Sequence, residues 1–190
     1  MTVYNAILAD PPWTFRTYSH KGKGRSAEAW YDCMSLAGIK ALPMAQLAAP
    51  DCALFLWVTD PGLLQAAEVI AAWGFSYRTV AFTWVKTTKD GTGFPIGCGY
   101  WTRANPEQCL LATRGRPQRL SRSVRQLVLA PRREHSRKPD EVYAAIEALV
   151  LGPYLELFAR NRRPGWDSWG NEAQTGPGQR RWASRGGALL

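Results

Sequence analysis

Tyr4-Asn5-Ala6-Ile7-Leu8-Ala9 is an apolar run, and it ends at Asp10-Pro11-Pro12-Trp13. The run predicts a buried β-strand, and the Asp-Pro-Pro turn predicts where that strand ends. Ligands bind outside the carboxyl ends of the strands in open α/β sheets, so this turn would present a carboxylate and a flat ring at the ligand-binding edge. We therefore expect an α/β fold whose site is organised around residues 10–13.

The two prolines of this turn determine which chemistry it can support. Neither proline has a backbone N–H, and both hold φ at about −65°, so the Asp10 side chain and the Pro11 carbonyl form a rigid pair of acceptors. Such a pair suits the two hydrogens of an exocyclic purine amine, with Trp13 stacked on the base. A base inside a duplex cannot reach this site, so the nucleotide would be flipped or single-stranded. The alternative is an ordinary strand-ending turn.

Composition limits the class of protein. The chain has 190 residues, enough for one α/β domain, and its formal charge of +9 favours a polyanionic partner. Its four cysteines are scattered and only two histidines are present, so we expect reduced thiols and no metal site. We find no signal peptide and no apolar run long enough to span a membrane, and expect a soluble, cytoplasmic protein without a membrane partner.

Apolar runs and helix signals divide the rest of the chain. Strands are predicted at residues 51–59, 76–86, 107–113, 128–129 and 154–158. Helices are predicted at residues 35–49 with a break at Pro43, at residues 61–73, and from Pro139 to residue 150. Two connections rich in basic and aromatic residues, 14–32 and 87–106, are predicted to contact nucleic acid, the second as a lid. The alternative for both is a solvated or disordered loop.

Four further segments extend the pattern that begins at Asp10-Pro11-Pro12-Trp13. In chain order they are Leu54-Phe55-Leu56-Trp57-Val58-Thr59, Thr83-Trp84-Val85-Lys86, His135-Ser136-Arg137-Lys138-Pro139-Asp140-Glu141 and Leu155-Glu156-Leu157-Phe158-Ala159-Arg160. Together they resemble the METTL-type family of adenine-N6 methyltransferases, which includes the catalytic subunit of the eukaryotic mRNA adenosine methyltransferase. The resemblance covers nearly the whole chain up to Gly170-Asn171-Glu172.

The resemblance implies a fold and a reaction. Residues 1–172 would form one Rossmann-like methyltransferase domain with a mostly parallel twisted sheet, and its catalytic motif would precede its cofactor motif. The basic tail at residues 173–190 would be disordered. The implied reaction is methylation of the N6 amine of adenine in DNA, with S-adenosyl-L-methionine as cofactor. RNA is the main alternative substrate, and a non-catalytic nucleic-acid-binding subunit is the alternative of another class. The oligomeric state stays open.

The resemblance also implies which residues form the site. The catalytic set is Asp10, Pro11, Pro12 and Trp13. The substrate-binding set is Tyr31, Trp57, Trp84, Lys86, Glu107 and Ser136. The cofactor-binding set is Asp10, Lys138, Phe158, Arg160, Asn161, Asn171 and Glu172. From the residues alone, the two tryptophans could be plain core. Glu107 could be a surface residue, and the charged stretch at Lys138 could be a helix cap.

Overall fold

Seven strands form one sheet in the described part of the chain. The structure is a computed structural model and describes residues 2–13, 34–97, 99, 101–133, 137–159 and 161–169. The strands are β1 (Tyr4–Ala9), β2 (Ala48–Val58), β3 (Ser76–Thr87), β4 (Glu107–Arg114), β5 (Leu127–Pro131), β6 (Tyr154–Leu157) and β7 (Trp166–Trp169). Their order in the sheet is β5-β3-β4-β2-β1-β6-β7.

The sheet is parallel except at one strand. β1 pairs in parallel with β2 and β6, and the pairs β6–β7 and β3–β5 are parallel as well. Only β4 is antiparallel to its neighbours, β2 and β3. The predicted mostly parallel sheet of a Rossmann-like α/β domain is therefore confirmed.

Strand direction brings the site residues to one edge of the sheet. Asp10 follows β1, whose last residue Ala9 pairs with Leu56 on one side and Leu157 on the other. Because β4 runs antiparallel to β2 and β3, its first residue, Glu107, lies at the edge of the sheet where those two strands end, opposite Trp84 of β3. The sheet thus places Glu107 at the same edge as Asp10.

Helices cover both faces of the sheet. They are α1 (Leu36–Lys40), α2 (Met44–Leu47), α3 (Leu63–Ala72), which follows a 3₁₀ turn at Asp60–Gly62, and α4 (Glu141–Leu149). One buried cluster joins alternate sheet residues to α1, α2 and α3, and the other joins the opposite face to Val142 and Ile146 of α4. Since both faces are covered, β1 and the second half of β2 are apolar at nearly every position.

The predicted element ends correspond to specific local contacts. The Ser35 hydroxyl accepts a hydrogen bond from the Gly38 N–H at 3.1 Å, as expected of an N-cap. Gly74, just after α3, has a φ of 78°, which glycine adopts without strain. β7 was not predicted, because its sequence Trp-Asp-Ser-Trp is no apolar run and it is stabilised by pairing with β6.

Within the described ranges, no helix has the length and apolar character needed to cross a membrane. Cys52 and Cys109 are buried free thiols, and burial is the main cause that raises the pKa of each. Cys33 and Cys98 lie outside the described residues. The two described cysteines therefore behave as core side chains, as the sequence analysis expects of reduced thiols.

Candidate active site

Three hydrogen bonds fix the turn after β1. The Pro11 carbonyl accepts a hydrogen bond from the Trp13 N–H at 2.8 Å, and the Pro12 carbonyl accepts one from the Met34 N–H at 3.1 Å. The Trp13 indole N–H donates to the Trp57 carbonyl at 3.0 Å. The indole bond ties the turn to the end of β2, and the Asp10 carboxylate beside the turn stays partly exposed.

This packing revises the predicted role of Trp13. Only 5% of the Trp13 surface is exposed, and the ring packs in the core cluster with α1 and α3. The ring therefore has no free face for a base, and Trp13 positions the turn rather than stacking. The Pro11 carbonyl is likewise not fully open, since one of its two lone pairs already accepts the Trp13 N–H.

Asp10 and three other ionisable side chains form a continuous row. Lys138 Nζ lies 2.8 Å from Asp10 Oδ2 and 3.1 Å from Glu107 Oε2. The other Glu107 oxygen, Oε1, lies 2.7 Å from Lys86 Nζ. We call Asp10, Lys138, Glu107 and Lys86 the charge row. Its positive and negative charges alternate and sum to zero.

Burial and pairing oppose each other in the charge row. Burial acts to lower the pKa of Lys138, but the carboxylates of Asp10 and Glu107 outweigh it and raise that pKa. Burial likewise acts to raise the pKa of Glu107, and the two lysines outweigh it and lower that pKa. Lys138 and Glu107 are therefore charged at neutral pH, and Lys138 cannot act there as a proton acceptor.

Two tryptophans lie under the two lysines of the row. Lys138 Nζ is 5.5 Å from the centre of the Trp57 ring, and Lys86 Nζ is 5.4 Å from that of Trp84. The rings meet edge to face at 6.4 Å. The Trp84 indole N–H donates to the Ala130 carbonyl at 2.9 Å, whereas the buried Trp57 Nε1 has no hydrogen-bond partner among the residues that the structure describes.

A cavity of about 260 Å³ opens between the ends of β1 and β6. Its lining residues are Leu8, Asp10, Trp57, Arg137, Lys138, Asp140, Tyr143, Glu156, Phe158, Asn161, Arg162, Arg163 and Pro164. Trp57 thus forms part of the wall. Trp84, Lys86 and Glu107 are not lining residues, and they support the wall from behind. Asp10, Lys138, Phe158 and Asn161, all predicted cofactor residues, are brought together here.

Phe158 has an unusual backbone conformation directly after β6. Its φ is 63°, in the left-handed region, and it is the only described non-glycine residue with a positive φ. This conformation costs a non-glycine residue roughly 1–2 kcal/mol, and it would be free of strain for glycine. A nucleotide-binding α/β fold usually has a glycine-rich turn after such a strand. Here the sharp turn is kept with a phenylalanine whose side chain lines the cavity.

Glu156 and Tyr143 form a second polar contact in the cavity that the sequence analysis missed. The Tyr143 hydroxyl donates to Glu156 Oε1 at 2.8 Å. Burial is the main cause that raises the pKa of Glu156 to about 7, with Asp10 and Asp140 adding to it. The hydrogen bond from Tyr143 and the charge of Arg163 oppose this rise. Glu156 could have been identified from the sequence, because a glutamate between Leu155 and Leu157 interrupts an otherwise apolar strand.

Asp140 links three arginines from different segments at the mouth of the cavity. Its carboxylate pairs with Arg133, with Arg137 at 3.2 Å and with Arg163 at 3.1 Å. The Arg163 guanidinium also lies 4.0 Å from the centre of the Tyr143 ring. Burial opposes ionisation of Asp140, but the arginines outweigh it and lower its pKa. The sequence analysis assigned Asp140 only to the start of a helix.

Several predicted site residues lie outside the described part of the chain. These are Tyr31, Ser136, Arg160, Asn171 and Glu172. The whole of the predicted loop at 14–32 and of the tail at 173–190 also lies outside it. Among the described residues, no group of three or more His, Cys, Asp and Glu side chains is arranged to hold a metal ion.

Comparison with known proteins adds a family and several relatives. The MT-A70 family model matches residues 4–172. The chain is 34% identical over 190 residues to the type II methyltransferase M.MunI of Mycoplasma sp, covering 89% of this chain and 77% of that protein. It is 33% identical to the N(6)-adenosine-methyltransferase MT-A70-like protein of Arabidopsis thaliana, again over 89% of this chain but only 24% of the relative. It is 31% identical to the human N(6)-adenosine-methyltransferase catalytic subunit METTL3, over 89% of this chain and 28% of that protein.

Proposed function

The chain belongs to the MT-A70 family and is an adenine-N6 methyltransferase, and we propose that it methylates DNA with S-adenosylmethionine as the methyl donor. The choice of DNA over RNA rests on the share of each relative that the chain covers. It spans 77% of the type II methyltransferase but 28% of the human adenosine methyltransferase subunit. RNA is the alternative substrate for the same chemistry.

The observation that carries the mechanism is the position of the Asp10 carboxylate. It follows the central strand β1, lines the cavity and is held at 2.8 Å by Lys138. An adenine amine has two N–H donors and needs two acceptors. A carboxylate has about four lone-pair positions, so Asp10 keeps capacity beyond its bond to Lys138. The second lone pair of the Pro11 carbonyl supplies the other acceptor.

The charge row holds the Asp10 carboxylate in a fixed orientation. Lys138 binds both Asp10 and Glu107, and Glu107 is bound in turn by Lys86. Because these groups are fixed before substrate arrives, little reorganisation is needed when the amine binds. Two acceptors on its hydrogens draw the amine nitrogen out of conjugation with the ring, which makes its lone pair more available for attack on a methyl group.

The cavity residues fit a methyl donor that carries positive charge. S-adenosylmethionine, when bound, supplies an electrophilic methyl group on a sulfonium, and its amino group is a second cation. Three acidic side chains line the cavity, and Asp10 and Glu156 suit such cations, since Asp140 is already paired with arginines. Lys138 suits the carboxylate end, while Phe158 and Asn161 offer an aromatic face and an amide for the nucleoside part. Arg160, Asn171 and Glu172 are proposed as further ligands, from the resemblance alone.

The target base has to leave its stack to reach Asp10. Asp10 lines a cavity between the ends of two strands. A base that is paired inside a duplex cannot enter such a cavity, so the protein binds a flipped or single-stranded adenine. Trp57 forms a wall of the cavity, and we propose that the base packs against it. Tyr31 and Ser136 are proposed to border the base, with Trp84, Lys86 and Glu107 acting from behind the wall.

An Asp10→Ala variant separates catalysis from binding. We expect tritiated methyl transfer to fall at least a hundredfold, because the amine loses its charged acceptor, while calorimetric binding of S-adenosylmethionine falls by no more than tenfold. Transfer is measured on duplex DNA, single-stranded DNA and RNA, followed by nucleoside analysis. N6-methyladenine from DNA supports the proposal, and product from RNA alone would move the substrate to RNA.

Two results would contradict the assignment. Unchanged transfer by the Asp10→Ala variant would remove Asp10 from the mechanism. A wild-type protein that neither binds S-adenosylmethionine nor transfers a methyl group would favour a non-catalytic nucleic-acid-binding subunit. Asp167→Asn is the matched control, since Asp167 is a carboxylate outside the cavity that accepts a hydrogen bond from the Tyr4 hydroxyl.

A further inference from the structure

Four arginines recur at every third position between β4 and β5. They are Arg116, Arg119, Arg122 and Arg125, and we call them the basic track. The connecting segment contains neither helix nor strand, and all four side chains are exposed. No aspartate or glutamate occurs between Glu107 and Glu134. The track is therefore a run of positive charge without intervening negative charge.

The backbone of this segment is fixed to the rest of the domain. Its ends are held by a hydrogen bond from the Arg116 N–H to Asp51 Oδ1 at 2.6 Å and by one from Gln126 Nε2 to the Val80 carbonyl at 2.7 Å. In the middle, the Leu120 N–H donates to the Leu149 carbonyl at 2.8 Å.

The side chains of the segment divide into an inner and an outer set. Val124 packs against the core cluster that includes α4, and Pro117 and Ser121 are half-buried. The arginines are exposed. Three residues of chain span at most about 10 Å, so the track is at most about 30 Å long.

The guanidinium groups of the track have no protein partner among the described residues. None of the four makes a side-chain hydrogen bond or an ion pair there, whereas Arg133, Arg137 and Arg163 all pair with Asp140. Four unpaired like charges on one fixed segment repel one another and gain most from a polyanion. Their regular spacing suits a partner with charges repeated along its length, as on a nucleic-acid backbone.

The two ends of the track lie at different distances from the charge row. Arg116 follows the far end of β4, about 24 Å from Glu107 at the start of that strand. Arg125 lies nearer, because Leu127, two residues later, pairs with Thr83, the β3 residue next to the partner of Glu107. A short nucleic acid held at the cavity cannot cover the track, whereas a longer one can follow the side of the domain.

We propose that the basic track is a second phosphate-binding surface, which holds the backbone of a long nucleic acid away from the nucleotide in the cavity. The proposal rests on the proposed function, because it assigns a nucleic-acid substrate to the protein. It predicts that the track adds affinity for long substrates only. Short substrates would be bound and methylated equally well without it.

The test replaces the four arginines together by glutamine. Binding to labelled duplexes of about 10 and about 60 base pairs is followed by fluorescence anisotropy over a range of salt concentrations. The target adenine lies at the centre of the short duplex, so that each arm is only about 17 Å long. We expect the variant to bind the long duplex at least tenfold more weakly, with a salt slope reduced by about 3 to 4, and to bind the short duplex as the wild type does. Methyl transfer to the short duplex should be unchanged.

Matched variants separate the track from general charge effects. Arg122→Gln and Lys40→Gln each remove one exposed positive charge, and only Arg122→Gln should weaken binding to the long duplex. A thermal melt checks folding, which exposed substitutions rarely disturb by more than about 0.5 kcal/mol.

Three results would overturn the proposal. One is wild-type affinity of the fourfold variant for the long duplex. Another is equal weakening on both lengths. The third is loss of binding to polyaspartate with nucleic-acid binding intact, which would assign the track to an acidic protein. Failure of the wild type to methylate the short duplex would contradict the proposed function instead, and anisotropy would still decide the track.

Discussion

Lys138 holds its ammonium group between two carboxylates, and at the level of single residues this arrangement determines the state of the site. The distances of 2.8 Å to Asp10 and 3.1 Å to Glu107 join residues far apart in sequence. The carboxylates raise the pKa of Lys138 although burial opposes them. Breaking a buried ion pair is more damaging than breaking an exposed one, because an unpaired charge stays behind.

Replacing Lys138 by methionine should therefore affect both folding and catalysis. We expect the free energy of unfolding to fall by about 3–5 kcal/mol, because Glu107 and Asp10 lose a shared partner, and turnover to fall at least a hundredfold. Urea unfolding and methyl-transfer kinetics measure the two effects. Lys40→Met is the control: Lys40 pairs with Glu68 at the surface, so its loss should change stability by less than about 1 kcal/mol. Equal effects of the two substitutions would contradict the buried-pair interpretation.

Residue identity predicted part of the site and missed another part for a physical reason. The resemblance implied Asp10, Lys138, Phe158 and Asn161 as cofactor-binding residues, and all four line the cavity, while their binding roles stay predictions. Glu156 was missed although it lies inside a quoted motif, because a strand pattern does not reveal which polar residue faces a cavity. The burial of Trp13 was also not predictable, since its partner, the Trp57 carbonyl, lies 44 positions away.

At the level of elements, the start of α4 organises the mouth of the cavity. Asp140 precedes the helix and binds Arg137 from its own segment and Arg163 from the loop between β6 and β7. Arg163 in turn packs on the ring of Tyr143, one turn into the helix. Residues 161–164, which line the cavity on the proposed cofactor side, are thereby tied to α4.

An Asp140→Asn variant should loosen this loop without unfolding the protein. It keeps the side-chain shape and removes the charge that attracts Arg163, so residues 161–164 should exchange amide hydrogen faster. Affinity for S-adenosylmethionine should fall by about tenfold, which is 1.4 kcal/mol. Asp140 is substantially exposed, so stability should change by less than about 1 kcal/mol.

Glu141→Gln is the matched control for this variant, because Glu141 is an exposed carboxylate in the same helical turn. Hydrogen exchange and calorimetry provide the two readouts. Unchanged exchange and affinity in Asp140→Asn, or equal changes in both variants, would show that the ion pairs of Asp140 do not position the loop.

The ends of a helix or strand could be predicted where a capping residue or a glycine in the local sequence defines them. They could not be predicted where pairing with another strand defines them. Ser35 and Gly74 mark the start of α1 and the end of α3 in the sequence itself. β7 has no such marker. It forms because β6 would otherwise be an unpaired edge of the sheet, and each of its four residues pairs with one residue of β6. The antiparallel direction of β4 also depends on the whole sheet, and no local sequence pattern indicates it.

At the scale of the whole molecule, buried ionisable groups set how stability depends on pH. The pKa of Glu107 is lowered, so its contribution is present above its unfolded pKa and is lost as pH falls through the folded value. The pKa of Lys138 is raised, so its contribution is present below its unfolded pKa and is lost at strongly alkaline pH. Neither group titrates near neutrality, whereas Glu156, also among the described residues, does.

The pH profile of unfolding tests the raised pKa of Glu156. Burial raises this pKa from 4.5 to about 7, so the folded protein holds the proton more tightly than the unfolded chain. The stabilisation is complete below the unfolded pKa and is lost as pH rises through about 7. Wild-type stability should therefore decline by up to about 3 kcal/mol between about pH 5 and pH 8, more than in Glu156→Gln. The glutamine keeps an acceptor for Tyr143 but cannot ionise. Urea unfolding across this pH range measures the stability of the wild type and of the variant. If the two stabilities change with pH in the same way, Glu156 has an ordinary pKa in the folded protein.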